Sequence, residues 1–262
     1  MSDKPVILDR EGAIARIRFN RADVLNALNT ESAEALLEAC QRVEADPENR
    51  VVVISGVGRA FMAGGDVVEF GGELVERTSR IDGLISKLHQ SIEILTKLRS
   101  PVVASVHGAV AGAGVSIALA ADLAICADDT VFNLAYAKLG ASPDGSSSWS
   151  LPRVVGVRKA IEIAMLSENI QADEALKLSM VNRVVPAGDL QKETDALVRR
   201  LASGPTFAYG KIKHLMRTSH ERTLHDQLDE ERRSFLGCNE TTDFGSGVSA
   251  FLRKERASFR GS

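Results

Sequence analysis

Residues 101–127, PVVASVHGAVAGAGVSIALAADLAICA, consist of two apolar runs separated by a glycine-rich turn and a short apolar stretch. The runs at 101–106 and 122–127 have the β-branched, apolar composition of buried strands, and 115–120 predicts a small helix between them. His107, the glycines and Asp122 interrupt the segment, which is therefore unlike a membrane span. Strand, helix and strand in this order predict a right-handed crossover in an α/β core.

The same alternation extends to both sides of this segment. Before it, the patterns predict a hairpin at 6–9 and 13–19, a helix at 31–45 capped by Asn29 or Thr30, a buried strand at 51–55 and an amphipathic helix at 81–98. After it, strands nearly vanish, and helices are predicted at 158–166, 172–178, 189–203, 206–218, 223–238 and 243–255. We predict an α/β core over residues 1–200 and a helical region over residues 201–262.

Composition narrows the classes of function. The 262 residues carry a formal net charge of -3, so no global positive field favours nucleic acid or an anionic membrane. No leader-like segment opens the chain, and a cytoplasmic location is expected. Three widely spaced cysteines and five scattered histidines predict reduced thiols, without a disulfide framework or a metal site.

Two glycine-rich turns follow buried strands, GRAFMAGGD at 58–66 and HGAVAGAG at 107–114. In a sheet-based fold such turns lie at the carboxyl ends of strands, where ligands bind. If each turn directs one backbone N–H at the same carbonyl oxygen, the pair forms an oxyanion hole. The alternative is that both are tight turns that only allow close packing. Neither has the lysine and hydroxyl ending of a phosphate-binding loop.

Four blocks of the chain, in order and spacing, resemble the crotonase (enoyl-CoA hydratase/isomerase) superfamily. They are FNRADVLNALN at 19–29, GRAFMAGGDVVEF at 58–70, the stretch from 101 to 156, and TDFGSGVSAFLRKE at 242–255. The resemblance implies an α/β core of repeated β-β-α units, a C-terminal helical trimerisation region, and a homotrimer or a dimer of trimers. It also implies an acyl-coenzyme A thioester as substrate and no separate cofactor.

The resemblance also implies roles for individual residues. The oxyanion donors would be the backbone N–H groups of Gly65 and Ala113. Coenzyme A would be held by Val24, Leu25, Ala27, Ala63, Gly64 and Asp66, and by Phe251 and Lys254 from a neighbouring subunit's tail. For Asp66 the alternative is a helix N-cap, and for the tail residues it is an ordinary solvated helix.

The family resemblance places Ser116 and Tyr136 where hydratases carry their two glutamates. The acid that remains in this region is Asp144, in SPDGSSSW. Locally Pro-Asp-Gly is a β-turn, but an acid after this proline resembles the catalytic carboxylate of enoyl-CoA isomerases, including phenylacetate-pathway ring-epoxide isomerases. A base needs partial desolvation, so we expect Asp144 in an apolar pocket with Phe132, Leu139 and Trp149 as candidate walls. Tyr136 and His107 are predicted to be buried structural residues outside the site.

A single carboxylate suits a 3-enoyl to 2-enoyl shift or a related ring-epoxide isomerisation. Two alternatives stay open: hydration or thioester hydrolysis with Asp144 positioning water, and a non-catalytic acyl-CoA-binding protein. The segment at 69–80 is expected to shape the acyl pocket as a mobile loop.

Overall fold

A six-stranded sheet, with a second sheet of three strands, forms the centre of the computed structural model, which describes residues 4–262. The strands are β1 Val6–Glu11, β2 Ile14–Phe19, β3 Val51–Gly56, β4 Val102–Val106, β5 Ala109–Ala111, β6 Leu123–Ala127, β7 Val131–Asn133, β8 Ile170–Gln171 and β9 Arg183–Val185. The large sheet has the order β1-β2-β3-β4-β6-β9, and only its β1–β2 pair is antiparallel. The small sheet has the order β5-β7-β8.

Ten α-helices cover the sheets within residues 4–262. They are α1 Thr30–Glu44, α2 Leu74–Lys97, α3 Ala113–Ala120, α4 Ser147–Val155, α5 Val157–Leu166, α6 Ala172–Lys177, α7 Leu190–Ala202, α8 Thr206–Thr218, α9 Leu224–Asn239 and α10 Thr242–Arg253. The α/β fold class is confirmed, and so are the N-terminal hairpin and the Asn29 cap, whose side chain accepts from Ser32 N–H at 2.9 Å.

The central strands are apolar on both faces because both faces of the sheet are covered. On β3, Val52 and Ile54 belong to the core that includes residues of α1 and α2. Val51 and Val53 belong instead to a second cluster with Val198 of α7. Consecutive residues of a strand point to opposite faces, so the apolar residues of β3 pack against helices on both faces of the sheet.

Three local predictions are wrong, each for a physical reason. Helix α2 begins at Leu74 and not at 81, so most of the segment expected to be a loop is helical. Its first turns escape detection because Leu74 and Val75 are exposed and add nothing to the buried stripe. Helix α4 was missed because it contains Pro152, which lacks the N–H of a helix interior. Residues 109–111 form β5 inside the expected glycine turn.

The three cysteines are free thiols. Burial raises the pKa of Cys40 to about 12 and that of Cys126 to about 11. Both therefore stay protonated and unreactive at neutral pH. Among residues 4–262, no helix combines the length and the apolar character needed to cross a membrane.

Asp122, immediately before β6, binds helix α8 to the core. Its carboxylate accepts hydrogen bonds from Val102 N–H at 2.9 Å and Arg217 Nε at 3.0 Å, and Lys213 Nζ lies 2.8 Å away. Burial lowers the pKa of the Lys213 ammonium, while Asp122 acts in the opposite direction. The first helix of the C-terminal region is thus attached to the α/β core by a largely buried ion cluster. The division into units 1–200 and 201–262 stays a prediction.

We expect Asp122→Ala to lower the free energy of unfolding by about 3 kcal/mol, because two largely buried cations lose their shared anion. Urea titration followed by circular dichroism measures the loss. The matched control is Glu93→Ala, which removes the anion of an exposed pair with Lys97 in α2 and should cost less than about 0.5 kcal/mol. Equal losses in the two variants would show that the cluster contributes no more than a surface ion pair.

Candidate active site

Backbone hydrogen bonds join the two glycine-rich turns side by side. Met62 N–H donates to the Ala109 carbonyl at 3.1 Å, and Ala111 N–H donates to the Met62 carbonyl at 2.8 Å. A Cβ at Gly112 would lie 3.5 Å from the Gly64 Cα, so the two turns are in close approach. Gly64 and Gly112 have φ of 105° and 45°, in the left-handed region that favours glycine. The juxtaposition expected from the sequence is therefore present.

A third segment, the LNALN block, lies against the first turn. Ala63 N–H donates to the Leu25 carbonyl at 3.0 Å, and Leu28 N–H donates to the Gly64 carbonyl at 2.8 Å. Asn26 is buried, and its amide nitrogen donates to the carbonyls of Val57 and Ala60, at 2.9 and 2.8 Å.

The sequence analysis did not name Asn26, although an asparagine inside the LNALN block is the kind of residue that tolerates a left-handed backbone. Its φ is 58°, a left-handed conformation that asparagine tolerates better than most residues. Its side-chain oxygen also accepts from Arg21 N–H at 2.8 Å. Asn26 therefore sets the shape of the segment that borders the first glycine turn.

The backbone N–H groups of Gly65 and Ala113 have no acceptor among residues 4–262, and both residues line one cavity. Ala113 is the first residue of α3, where N–H groups are unpaired and the helix dipole is positive. Side chains are excluded close to both positions. A Cβ at Gly65 would lie 2.6 Å from the Phe70 ring, and one at Gly114 would lie 2.5 Å from the Met62 carbonyl oxygen.

The cavity has a volume of about 940 Å³ and walls that are mainly apolar. Helix α2 forms one wall, and the 3-10 turn at Tyr136–Leu139 forms another. Asp144 is the one acidic residue that lines it within the described chain. The lining residues are Leu28, Ala63, Gly64, Gly65, Val67, Phe70, Arg77, Ile81, Leu84, Ile85, Leu88, Gly112, Ala113, Ala135, Tyr136, Lys138, Leu139, Ala141, Ser142 and Asp144.

Tyr136 lines the same cavity as Asp144, whereas the sequence predicted a structural residue outside the site. Its hydroxyl donates a short hydrogen bond to Asp144 Oδ1 and lies 3.3 Å from Ser116 Oγ. Burial, and then the negative charge of Asp144, raise the pKa of Tyr136 well above its usual range. The phenol therefore remains a proton-bearing donor. Left-handed residues at Ala135 and Gly140 flank the turn that brings Tyr136 to Asp144.

The turn that follows Pro143 presents Asp144 to the cavity. The Asp144 carbonyl accepts from Ser147 N–H at 3.1 Å, as in a turn, and from Ser116 Oγ at 3.1 Å. Gly145 has a φ of 56°, and a Cβ there would lie 2.9 Å from Ser116 Cβ. The local turn and the functional position of Asp144 are therefore compatible. Gly145 N–H donates to His89 Nε2 at 3.2 Å, and the sequence analysis had not singled out His89.

The other residues named from the sequence are distributed as follows. Of the three candidate walls, Leu139 lines the cavity and Phe132 is buried in the core. The third, Trp149, packs against Arg153, whose guanidinium carbon lies 3.9 Å from the centroid of the Trp149 ring. His107 has the expected hydrogen bond, with Nε2 2.9 Å from the Gly58 carbonyl oxygen, but it is only half-buried.

Of the residues expected to hold coenzyme A, Ala63 and Gly64 line the cavity. Val24 and Leu25 lie in and directly after the 3-10 turn at Ala22–Val24, and Ala27 precedes Leu28 of the lining. Asp66 Oδ2 lies 3.0 Å from Arg21 Nη1, and the Asp66 side chain caps the 3-10 turn at Val67–Phe70. This is the N-cap role given above as the alternative to coenzyme A binding.

Two further residues expected to hold coenzyme A lie on the C-terminal tail. Phe251 is an exposed residue of α10, and Lys254 follows its end. Within residues 4–262, the cavity includes neither of these two residues in its lining. The structure also brings no three His, Cys, Asp or Glu side chains of residues 4–262 together as a candidate metal site.

The comparison with known proteins agrees with this geometry. The model of the enoyl-CoA hydratase/isomerase family matches residues 9–262. The 1,2-epoxyphenylacetyl-CoA isomerase of Escherichia coli strain K12 is 35% identical over 259 residues, covering 96% of each chain. A 4-chlorobenzoyl coenzyme A dehalogenase of Arthrobacter sp. is 31% identical, covering 98% of this chain and 94% of its own.

A solved structure of an enoyl-CoA hydratase from Polaromonas sp. JS666 superposes with a TM-score of 0.92 at 35% identity, covering 97% of this chain and 99% of that one. Similarity thus extends over nearly the whole chain. The chain belongs to the enoyl-CoA hydratase/isomerase family, within the crotonase superfamily that its sequence blocks resemble.

Proposed function

We propose that this chain is an enoyl-CoA isomerase that moves a double bond from the 3- to the 2-position of an acyl-CoA, or rearranges a related ring-epoxide acyl-CoA. The observation that carries the proposal is one cavity that, among residues 4–262, is lined by a single carboxylate, Asp144, and by Gly65 and Ala113, whose N–H groups have no acceptor there. The relative named 1,2-epoxyphenylacetyl-CoA isomerase supports the same reaction class.

In the proposed reaction the thioester oxygen accepts hydrogen bonds from the Gly65 and Ala113 N–H groups. Asp144 removes a proton from the α-carbon, and the electron pair moves onto the thioester oxygen as an enolate. The two N–H groups stabilise that oxygen most when it is negatively charged, which lowers the barrier. Asp144 then returns the proton at the γ-carbon, and conjugation with the carbonyl is gained. The sequence of steps needs one carboxylate and no bound water.

Hydration would need a second group to manage a proton, and the surroundings of Asp144 favour isomerisation instead. The two positions assigned to hydratase glutamates hold Ser116 and Tyr136, whose side chains are neutral hydroxyls. Tyr136 binds one oxygen of Asp144, which leaves the other oxygen to act as the base. Ser116 binds the Asp144 carbonyl and so supports the turn.

We further propose that the substrate's coenzyme A moiety lies along Val24, Leu25, Ala27, Ala63, Gly64 and Asp66, and that no separate cofactor takes part. Phe251 and Lys254 would reach it from a neighbouring subunit in a trimer or a dimer of trimers. The exposed apolar surface supports such an assembly, since Phe251 is 83% exposed and Leu252 75% exposed in the single chain. A cytoplasmic location stays a prediction.

The first test is Asp144→Asn with a 3-enoyl-CoA, following absorbance of the conjugated thioester. We expect wild type to generate conjugation and the variant to lose at least about a hundredfold in kcat, because the amide cannot accept the proton. KM should change little, since binding through coenzyme A remains.

The companion assay uses a 2-enoyl-CoA. Loss of conjugation from this substrate, faster than its formation from the 3-enoyl-CoA, would identify a hydratase and contradict the proposal. Release of free thiol would identify a hydrolase, and binding without any turnover would identify an acyl-CoA-binding protein.

The second test is Tyr136→Phe. We expect kcat to fall about tenfold, because removing a hydrogen bond to a charged group costs about 1.5 kcal/mol and leaves Asp144 less restrained. The raised pKa of Tyr136 adds a pH prediction: the phenol stays protonated through pH 10, where an ordinary tyrosine ionises. In a titration of absorbance at 295 nm, wild type minus Tyr136→Phe should show no ionisation step near pH 10.

Tyr209→Phe is the matched control, because Tyr209 is the chain's other tyrosine and lies in α8, outside the lining of the cavity among the described residues. Its kcat should equal that of wild type. Full activity in Tyr136→Phe, or a tyrosine step near pH 10 in the difference titration, would remove Tyr136 from the mechanism.

A further inference from the structure

One contact to the turn that carries Asp144 has no part in the proposed mechanism. Gly145 N–H donates a hydrogen bond to His89 Nε2 at 3.2 Å, across 56 positions of sequence. His89 lies on α2, directly after Leu88, which lines the cavity. The contact therefore joins the helix that forms one wall of the cavity to the backbone next to the proposed base.

The chemistry of the contact defines the state of the imidazole. A ring nitrogen accepts a hydrogen bond only when it carries no proton, so Nε2 is the acceptor and the ring is neutral with its proton on Nδ1. His89 is exposed to solvent as a residue.

His89 binds one end of a peptide plane whose other end is also bound. The Asp144 carbonyl and the Gly145 N–H belong to the same planar peptide unit. The carbonyl accepts from Ser116 Oγ at 3.1 Å, from Ser147 N–H at 3.1 Å and from Ser147 Oγ at 2.8 Å. His89 holds the N–H end of the unit. With both ends bound, the plane cannot rotate freely.

Rotation of this plane changes ψ of Asp144 and φ of Gly145 together. The residue after the base is a glycine in the left-handed region, with φ of 56°, where alternative backbone conformations are most accessible. Loss of the bond at the N–H end would let the turn at 144–147 shift, and the displaced Asp144 Cα would carry the carboxylate away from the Tyr136 hydroxyl. Catalytic groups need to be held within a fraction of an ångström of the productive position.

We propose that His89 is a positioning residue for Asp144, and that its neutral imidazole fixes the turn that carries the carboxylate. The inference rests on the proposed function of Asp144 as the base. His89 lies outside the lining of the cavity among the described residues, so its removal should change the rate of the chemical step without changing substrate binding.

The experiment compares His89→Ala with His89→Gln, whose side-chain oxygen is again an acceptor. We expect His89→Ala to lower kcat about fivefold with KM within twofold of wild type, since one neutral hydrogen bond is lost. His89→Gln should recover at least half of the wild-type kcat. The control is Gln90→Ala, because Gln90 is the exposed neighbour on α2 and, within residues 4–262, its side chain bonds only to Ser86 of the same helix.

A second readout does not depend on activity. Amide hydrogen exchange of the peptide covering residues 140–150 should be about tenfold faster at Gly145 in His89→Ala, and unchanged in Gln90→Ala. Unchanged exchange in His89→Ala, an unchanged kcat, or a His89→Gln variant as slow as His89→Ala overturns the positioning role. If wild type has no isomerase activity, the proposed function fails, while the exchange measurement still decides whether His89 holds the turn.

Discussion

The candidate site depends on the short backbone ladder between the two glycine-rich turns. The Met62 N–H donates to the Ala109 carbonyl, and the Met62 carbonyl accepts from the Ala111 N–H. These two bonds hold the glycine-rich turn that follows β3 against β5. A side chain at Gly114 would force these backbones apart, because a Cβ there would lie 2.5 Å from the Met62 carbonyl oxygen. Gly64 and Gly112 are favoured instead by their left-handed φ of 105° and 45°. The ladder therefore explains why the turns contain glycine and why two N–H groups face one cavity.

Around that ladder, the surroundings of Asp144 convert a turn residue into a candidate base. The cavity walls are mainly apolar, although Arg77 and Lys138 also line the cavity. The side chains that hydrogen-bond to Asp144 and to the following N–H are neutral, among them Tyr136 at the carboxylate, Ser116 at the carbonyl and His89 at the N–H. Neutral donors and acceptors orient a carboxylate without cancelling its charge, as a cation would. The same arrangement leaves the second carboxylate oxygen without a hydrogen-bond partner among residues 4–262.

The C-terminal helices contribute in two ways. Lys213 and Arg217 of α8 bind Asp122 beside the sheet, so this region is part of the packing of the core. Helix α10 instead leaves Phe251 and Leu252 exposed, which supports the proposed association of subunits. One part of the region thus stabilises the single chain, and another part is available for assembly.

The sequence by itself determined the α/β class, the buried strands, most helices and the two glycine turns, because apolar periodicity and glycine placement act over a few residues. It also pointed to Asp144, but only through a family resemblance, because a Pro-Asp-Gly turn by itself does not indicate a catalytic residue. Tertiary structure decided the partners of that carboxylate. Tyr136 reaches it from a 3-10 turn, and His89 reaches the following Gly145 N–H from α2. No local pattern encodes such contacts. The early start of α2 and the proline-containing α4 were also not predicted, because the first turns of α2 are exposed and add nothing to a buried stripe, and Pro152 lacks the N–H of a helix interior.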